Sequence, residues 1–157
     1  MKVGFDLDGV LCDIGVVELH LMHKLPPKGE ETAELYYYTE RKPLLNPKLL
    51  MHEDDEYHIV TSRHQGLREV TGRWVEKYYP DVNSLNIVGV EAWYQNASGA
   101  DDPAVWKAYA NQVVKLKAAK INELELDVFF DDSVGNVVQL RELCPNTTII
   151  QYGGRLR

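Results

Sequence analysis

The chain is poor in several things, and each shortage removes a class of protein. Only two cysteines, Cys12 and Cys144, occur in 157 residues, far apart and with no C-x-x-C spacing. Two buried reduced thiols fit this better than a disulfide scaffold. Positive charge is in deficit: 17 Lys and Arg stand against 24 Asp and Glu, a formal net charge of -7. No global footprint for a polyanion exists, so nucleic acid is not the expected partner. No apolar run approaches the ~20 residues of a membrane span. The first residues run from a short apolar stretch straight into acid, without the long apolar segment of a signal peptide. The expectation is a cytoplasmic protein that makes no membrane contact. Internal repeats and low-complexity tracts are also missing.

What is present fits one α/β domain spanning residues 1–157. Hydrophobic residues make up 45% and charged residues 26%, ordinary for a globular chain able to bury a sizeable core. Five short apolar runs read as strands: Val3–Leu7, Tyr57–Thr61, Leu85–Val90, Val128–Phe130 leading into Asp131, and Thr148–Tyr152. They are nearly continuous rather than alternating, as strands covered on both faces are. Helical patterns lie between them. Leu67, Val70, Trp74, Val75 and Tyr78 share one face, and Pro80 ends that run. Asp102-Pro103 pairs an N-cap with a proline at the first helical position, and Val105, Tyr109, Val113 and Leu116 follow as a stripe. Asn136 to Leu143 forms a further helix before Cys144-Pro145. Alternation of strand and helix predicts a parallel five-stranded sheet flanked by helices.

Two stretches read as irregular. Prolines 26, 27, 43 and 47 interrupt residues 25–50, where Tyr36-Tyr37-Tyr38 reads as packing of a connecting segment. Glu91 to Asp101 reads as a polar loop. His20 and His23, three apart, lack further ligands nearby and read as solvent-facing or hydrogen-bonded.

The chemistry gathers at strand ends, where parallel α/β sheets bind ligands. Asp6-Leu7-Asp8-Gly9-Val10 places two carboxylates after the first strand, followed by a glycine that permits a tight turn. Thr61 closes the second strand, and Asp131-Asp132 closes the fourth. An acidic pair alone is a weak signal, but three such polar ends in one sheet are not an accident of composition. The plain alternative for Asp131-Asp132 is a cap on the helix that follows, which needs only one of the two.

This set resembles the haloacid dehalogenase-like (HAD) hydrolases across most of the chain. Asp6-Leu7-Asp8-Gly9-Val10, His58-Ile59-Val60-Thr61-Ser62, Lys117 and Phe129-Phe130-Asp131-Asp132-Ser133 look like the four family motifs in order. The resemblance implies a HAD-like Rossmannoid fold and a phosphomonoester hydrolase working through an aspartyl-phosphate. In that reading Asp6 is the nucleophile and Asp8 handles protons. Thr61, Ser62 and Arg63 meet the phosphate, with Lys117 offsetting charge on nucleophile and phosphoryl group. Mg²⁺ is held by Asp6, Asp8 (through its main-chain carbonyl), Asp131 and Asp132, with Asp132 favoured over Asp131 as a direct ligand. Ser133 and Asn136 support the acidic pair. Lys120, three residues after Lys117, is the competing lysine.

Substrate choice is left open. Fifty-two residues lie between Asp8 and Thr61, too few for a large cap, so a small flap within 12–50 and an open site are expected. Such a site suits nucleotides or other small phosphoesters, or sugar phosphates if a homo-oligomer closes it. The string Asp6 to Asp13 looks like the 5'(3')-deoxyribonucleotidase group; polynucleotide 3'-phosphatases are similar in lacking a large cap. A receiver domain uses the same residue types, but its phosphorylated Asp follows a middle strand, and here the order differs. A non-catalytic phosphate-binding module would have no use for both Asp6 and Asp8.

Overall fold

The structure, a computed structural model, describes residues 1–13 and 41–153. The tyrosine run at 36–38, the His20 and His23 pair and most of the expected flap lie outside the described residues. Five strands form one parallel sheet: β1 (Lys2–Phe5), β2 (Glu56–His64), β3 (Ser84–Gly89), β4 (Val128–Asp131) and β5 (Thr148–Gln151). Their order is β3-β2-β1-β4-β5. The chain steps outward from β1 to β3, then returns to the other side of β1. That reversal opens a crevice beyond the carboxyl ends of β1 and β4, the place where such sheets take ligands.

Among the described residues four α-helices flank the sheet: α1 (Arg68–Tyr78), α2 (Glu91–Ser98), α3 (Pro103–Glu123) and α4 (Val134–Leu143). Successive strand residues face opposite sides, and the core divides accordingly. Phe5, Ile59 and Phe130 pack on one face with Trp74, Val75 and Tyr79. Val60, Phe129 and Ile149 pack on the other with Val114, Ala118, Ile121, Val137 and Leu140. The continuous apolar runs thus report burial on both faces. At Gly4 the approach is close: a Cβ would strike the Leu126 and Phe129 side chains.

Three expectations need correction. Residues 91–98 form a helix rather than a polar loop. Ala97 is its one buried residue, so no apolar period marks it in the sequence. The buried stripe of α3 is Val113, Val114, Lys117, Ala118 and Ile121, whereas Val105 is substantially exposed. Finally, β2 does not stop at Thr61 but continues to His64.

That extension is irregular. Thr61 pairs with Ile87 and His64 with Gly89, so β2 carries one residue more than β3 over this interval. Bulges of this kind bend a strand and re-aim side chains, and they recur beside active sites. Gly89 makes room for it: a Cβ there would lie 2.5 Å from the Arg63 carbonyl oxygen.

Candidate phosphoryl-transfer site

Two groups of charges form beyond β1, and they differ in make-up. The first is built on Asp6, Lys117, Asp131 and Asp132. Asp6 extends the β1–β4 ladder, its N–H donating to the Phe130 carbonyl at 2.8 Å. Asp131 ends β4 directly beside it. Lys117 occupies a core position of α3 and is fully buried. Its ammonium donates to Asp131 Oδ2 at 2.8 Å and lies 3.1 Å from Asp6 Oδ2. Lys120 instead pairs with Glu123 on the surface. Of the two competing lysines, Lys117 is the one brought to the acids.

The helix-cap alternative for Asp131-Asp132 fails on geometry. Ser133 is the N-cap of α4, its hydroxyl accepting from the Asn136 N–H. Asp131 Oδ1 accepts from the Ser133 N–H at 2.9 Å and, at 3.4 Å, from the Asn136 side-chain amide. Ser133 and Asn136 therefore hold Asp131 in place, as expected of them.

Carboxylate oxygens of Asp6, Asp131 and Asp132 lie within 4.8 Å of one another. Among the described residues, three acids share one ammonium, and this group is short of positive charge. Burial, ahead of the neighbouring Asp131 and Asp8 charges, pushes the Asp6 carboxyl well above its ordinary range even though Lys117 pulls it down. Burial, then Asp131, pushes Asp132 up to about 6. Burial by itself would lower the Lys117 ammonium; Asp6 and Asp131 reverse this and leave it raised. A hard divalent cation fits this donor set, because oxygen ligands in excess of local cations are what Mg²⁺ takes.

Asp8 belongs to the second group. Its Oδ2 accepts from Arg63 Nε at 2.8 Å and its Oδ1 from Arg63 Nη2 at 2.6 Å, a two-point fork. Arg41 Nη1 adds a third bond to Oδ1 at 2.6 Å. Burial works to raise the Asp8 carboxyl, but Arg63, then Arg41, outweighs it and holds the carboxyl below the ordinary Asp range. The side chain of Asp8 therefore stands outside the acidic group that could hold a metal.

The same contacts pair Arg63, expected at the phosphate, with Asp8. Its guanidinium also donates to Thr71 Oγ1 at 3.0 Å and to Cys12 Sγ at 3.6 Å, on the sheet face that Tyr57 and Ile59 share. The side chain is buried where it meets Asp8. Thr61 is buried, its hydroxyl accepting from the Arg63 N–H at 3.3 Å. Ser62, half-buried, sits on the bulge between them.

Arg41 was not visible in the sequence: no motif surrounds it, and 33 positions separate it from Asp8. The Trp74 indole N–H donates to the Arg41 carbonyl at 2.9 Å and ties that backbone to α1. Gly9 was visible only as a turn residue. It has φ +86°, and its missing Cβ leaves the space filled by the Asp132 carboxylate.

No protein-family model and no curated protein sequence matches the chain. Solved structures similar to it include one of the Pnkp1/Rnl/Hen1 RNA repair complex, with 20% identity and a TM-score of 0.55 over 99% of this chain. A second structure of the Pnkp1/Rnl/Hen1 complex gives 20% identity and a TM-score of 0.54 over 97%. The chain spans less than half of those polypeptides, 43% and 46%. A HAD family enzyme from Bacteroides thetaiotaomicron, an aspartate-to-alanine mutant in complex with magnesium and inorganic phosphate, gives 14% identity and a TM-score of 0.43. That alignment covers 96% of this chain and 92% of the other. The likeness to the repair complex extends to the fold, an α/β Rossmann-like sheet with flanking helices.

Proposed function

We propose that the protein is a divalent-metal-dependent phosphatase that hydrolyses phosphomonoesters through Asp6. The observation that carries this reading is the buried Lys117 shared by Asp6 and Asp131, with Asp132 completing an acidic group short of cations. Mg²⁺ bound there supplies positive charge to the transferring phosphoryl group. Asp6, Asp131 and Asp132 would hold it.

In the first step a carboxylate oxygen of Asp6 forms a bond to phosphorus while the bond to the leaving oxygen breaks. Lys117 offsets the charge of the nucleophile. The leaving oxygen takes a proton, delivered by Asp8. Water then attacks the same phosphorus, its proton passing to Asp8, and Asp6 is released with inorganic phosphate. Because two arginines hold Asp8 as a carboxylate, proton delivery requires that hold to loosen once substrate is in place. Thr61 and Ser62 supply hydroxyls for the phosphoryl oxygens.

Nucleotides and other small phosphoesters are the leading substrate class. A 3'-phosphorylated polynucleotide end is the second reading, favoured by the fold shared with a chain of an RNA repair complex. The test is a screen of p-nitrophenyl phosphate, nucleoside monophosphates, sugar phosphates and 3'-phosphorylated oligonucleotides with Mg²⁺. Turnover lost in EDTA and in Asp6→Asn is the expected result. Full turnover by Asp6→Asn would end this reading, and slow self-phosphorylation by acetyl phosphate without turnover would favour a receiver-like module.

A further inference from the structure

Beyond β5 the chain returns to the site, and none of the motif residues lies there. The Tyr152 N–H donates to the Asp131 carbonyl at 3.0 Å, and its ring meets Phe130 edge-on at 6.0 Å. The next residue, Gly153, has φ +75°. A Cβ on Gly153 would lie 2.7 Å from the Gly9 carbonyl oxygen and 4.0 Å from Asp132 Cβ. Gly9, in turn, has Asp132 seated where its own Cβ would be. Two glycines from opposite ends of the chain thus enclose one acid, both with positive φ, where L side chains are strained.

We infer that Gly153 is a positioning residue for the metal site: its bare backbone lets the Tyr152-Gly153 strap press against Gly9 and fixes where Asp132 stands. A side chain at 153 has two outlets. It displaces the Gly9 carbonyl, moves the strap off Asp131, or both. Each outlet shifts a carboxylate of the acidic group or the backbone beneath it. Groups that orient metal ligands without touching the metal change metal affinity by about 10–100-fold when altered. The inference rests on the metal-dependent reading above and adds a residue to it.

The test is Mg²⁺ titration by calorimetry on the full chain, with thermal melting alongside. Gly153→Ala is expected to weaken Mg²⁺ binding about tenfold or more. Gly153→Asn adds the same Cβ but tolerates positive φ, so it separates crowding from backbone strain and is expected to weaken binding as well. Should the alanine variant fail to fold, the asparagine variant decides. Gly72→Ala is the control: it lies in α1 with open space around it and is expected to bind Mg²⁺ as the wild type does. Wild-type Mg²⁺ affinity in a folded Gly153 variant would overturn the inference and leave the metal site standing. Absence of Mg²⁺ binding in the wild type would overturn the metal site itself.

Discussion

Asp6 and Asp8 are two residues apart, yet their surroundings are opposite. Asp6 sits among acids that outnumber their one ammonium. Asp8 sits among guanidiniums that outnumber it. The same carboxyl group is pushed up in the first place and down in the second. Two identical side chains acquire separate surroundings because different elements reach them: α3 and β4 reach Asp6, while β2 and the Arg41 segment reach Asp8. In the proposed mechanism the attacking acid needs an incoming cation, and the proton-moving acid needs a hold that orients it until substrate arrives.

The sharpest way to break this contrast is to remove the attacking acid. Asp6→Asn should lower turnover of p-nitrophenyl phosphate by about a thousandfold or more, since residues acting as one unit fail together. Lys117→Met should be nearly as damaging, and it should also destabilise. Removing one partner of a buried pair costs about 3–5 kcal/mol, which urea denaturation of the metal-free protein would register. Lys120→Ala, on the surface, should leave both measurements unchanged. Equal effects of the two lysine changes would remove Lys117 from the mechanism.

On the other side, Arg63→Ala should leave Asp8 with Arg41 alone. A loss of about 100-fold in kcat, the low end for proton transfer because Arg41 still holds Asp8, with a smaller change in KM, is expected. A pure KM effect would mean instead that Arg63 meets substrate.

Acid should separate the two groups. Raised carboxyls bind protons more readily when folded, so Asp6 and Asp132 favour the folded state at low pH. That contribution is fully present below about pH 4, the ordinary Asp range, and for Asp132 is lost as pH rises toward 6. For Asp8, lowered in the fold, stability is present above about pH 4 and is lost as pH falls through its folded value. Metal-free wild type should therefore lose melting temperature between pH 4.5 and 7 relative to Asp132→Asn, and Mg²⁺ should restore it. Parallel pH profiles for the two proteins without metal would refute the charge deficit.

The smallest expected effect is at Thr71. Thr71→Val removes one hydrogen bond to Arg63, costing about 1 kcal/mol, and should lower turnover only a few-fold. A loss as large as that of Arg63→Ala would make Thr71 part of the grip on Asp8 rather than its outer support.

The strands were legible because interior strands are apolar throughout. Asp6 and Asp131 were legible because parallel strands deliver the residues at their carboxyl ends to one crevice, whereas Thr61 was read as a strand end although β2 runs on to His64. Lys117 could have been read more firmly: it is a charged residue within the α3 stripe formed by Val113, Val114, Ala118 and Ile121, where a lysine has no reason to be unless a partner waits inside. Helix α2 was hidden because a helix with a single buried residue has no apolar period. Arg63 was noticed, but its pairing with Asp8, 55 positions away, leaves no mark in local composition. Arg41 and Gly153 depend on contacts between distant segments, which no local pattern records.

The bond from the Trp74 indole to the Arg41 carbonyl has an optical consequence. Trp74 is almost fully buried, whereas Trp93 is exposed. The emission of Trp74 should lie to the blue of that of Trp93, and loosening the Arg41 segment would break the indole's hydrogen bond and change that emission. The fluorescence of Trp74 can therefore report, in real time and without any label, whether the hold on Asp8 relaxes when a phosphoester arrives; a signal unchanged on substrate binding would mean that the Arg41 backbone stays put.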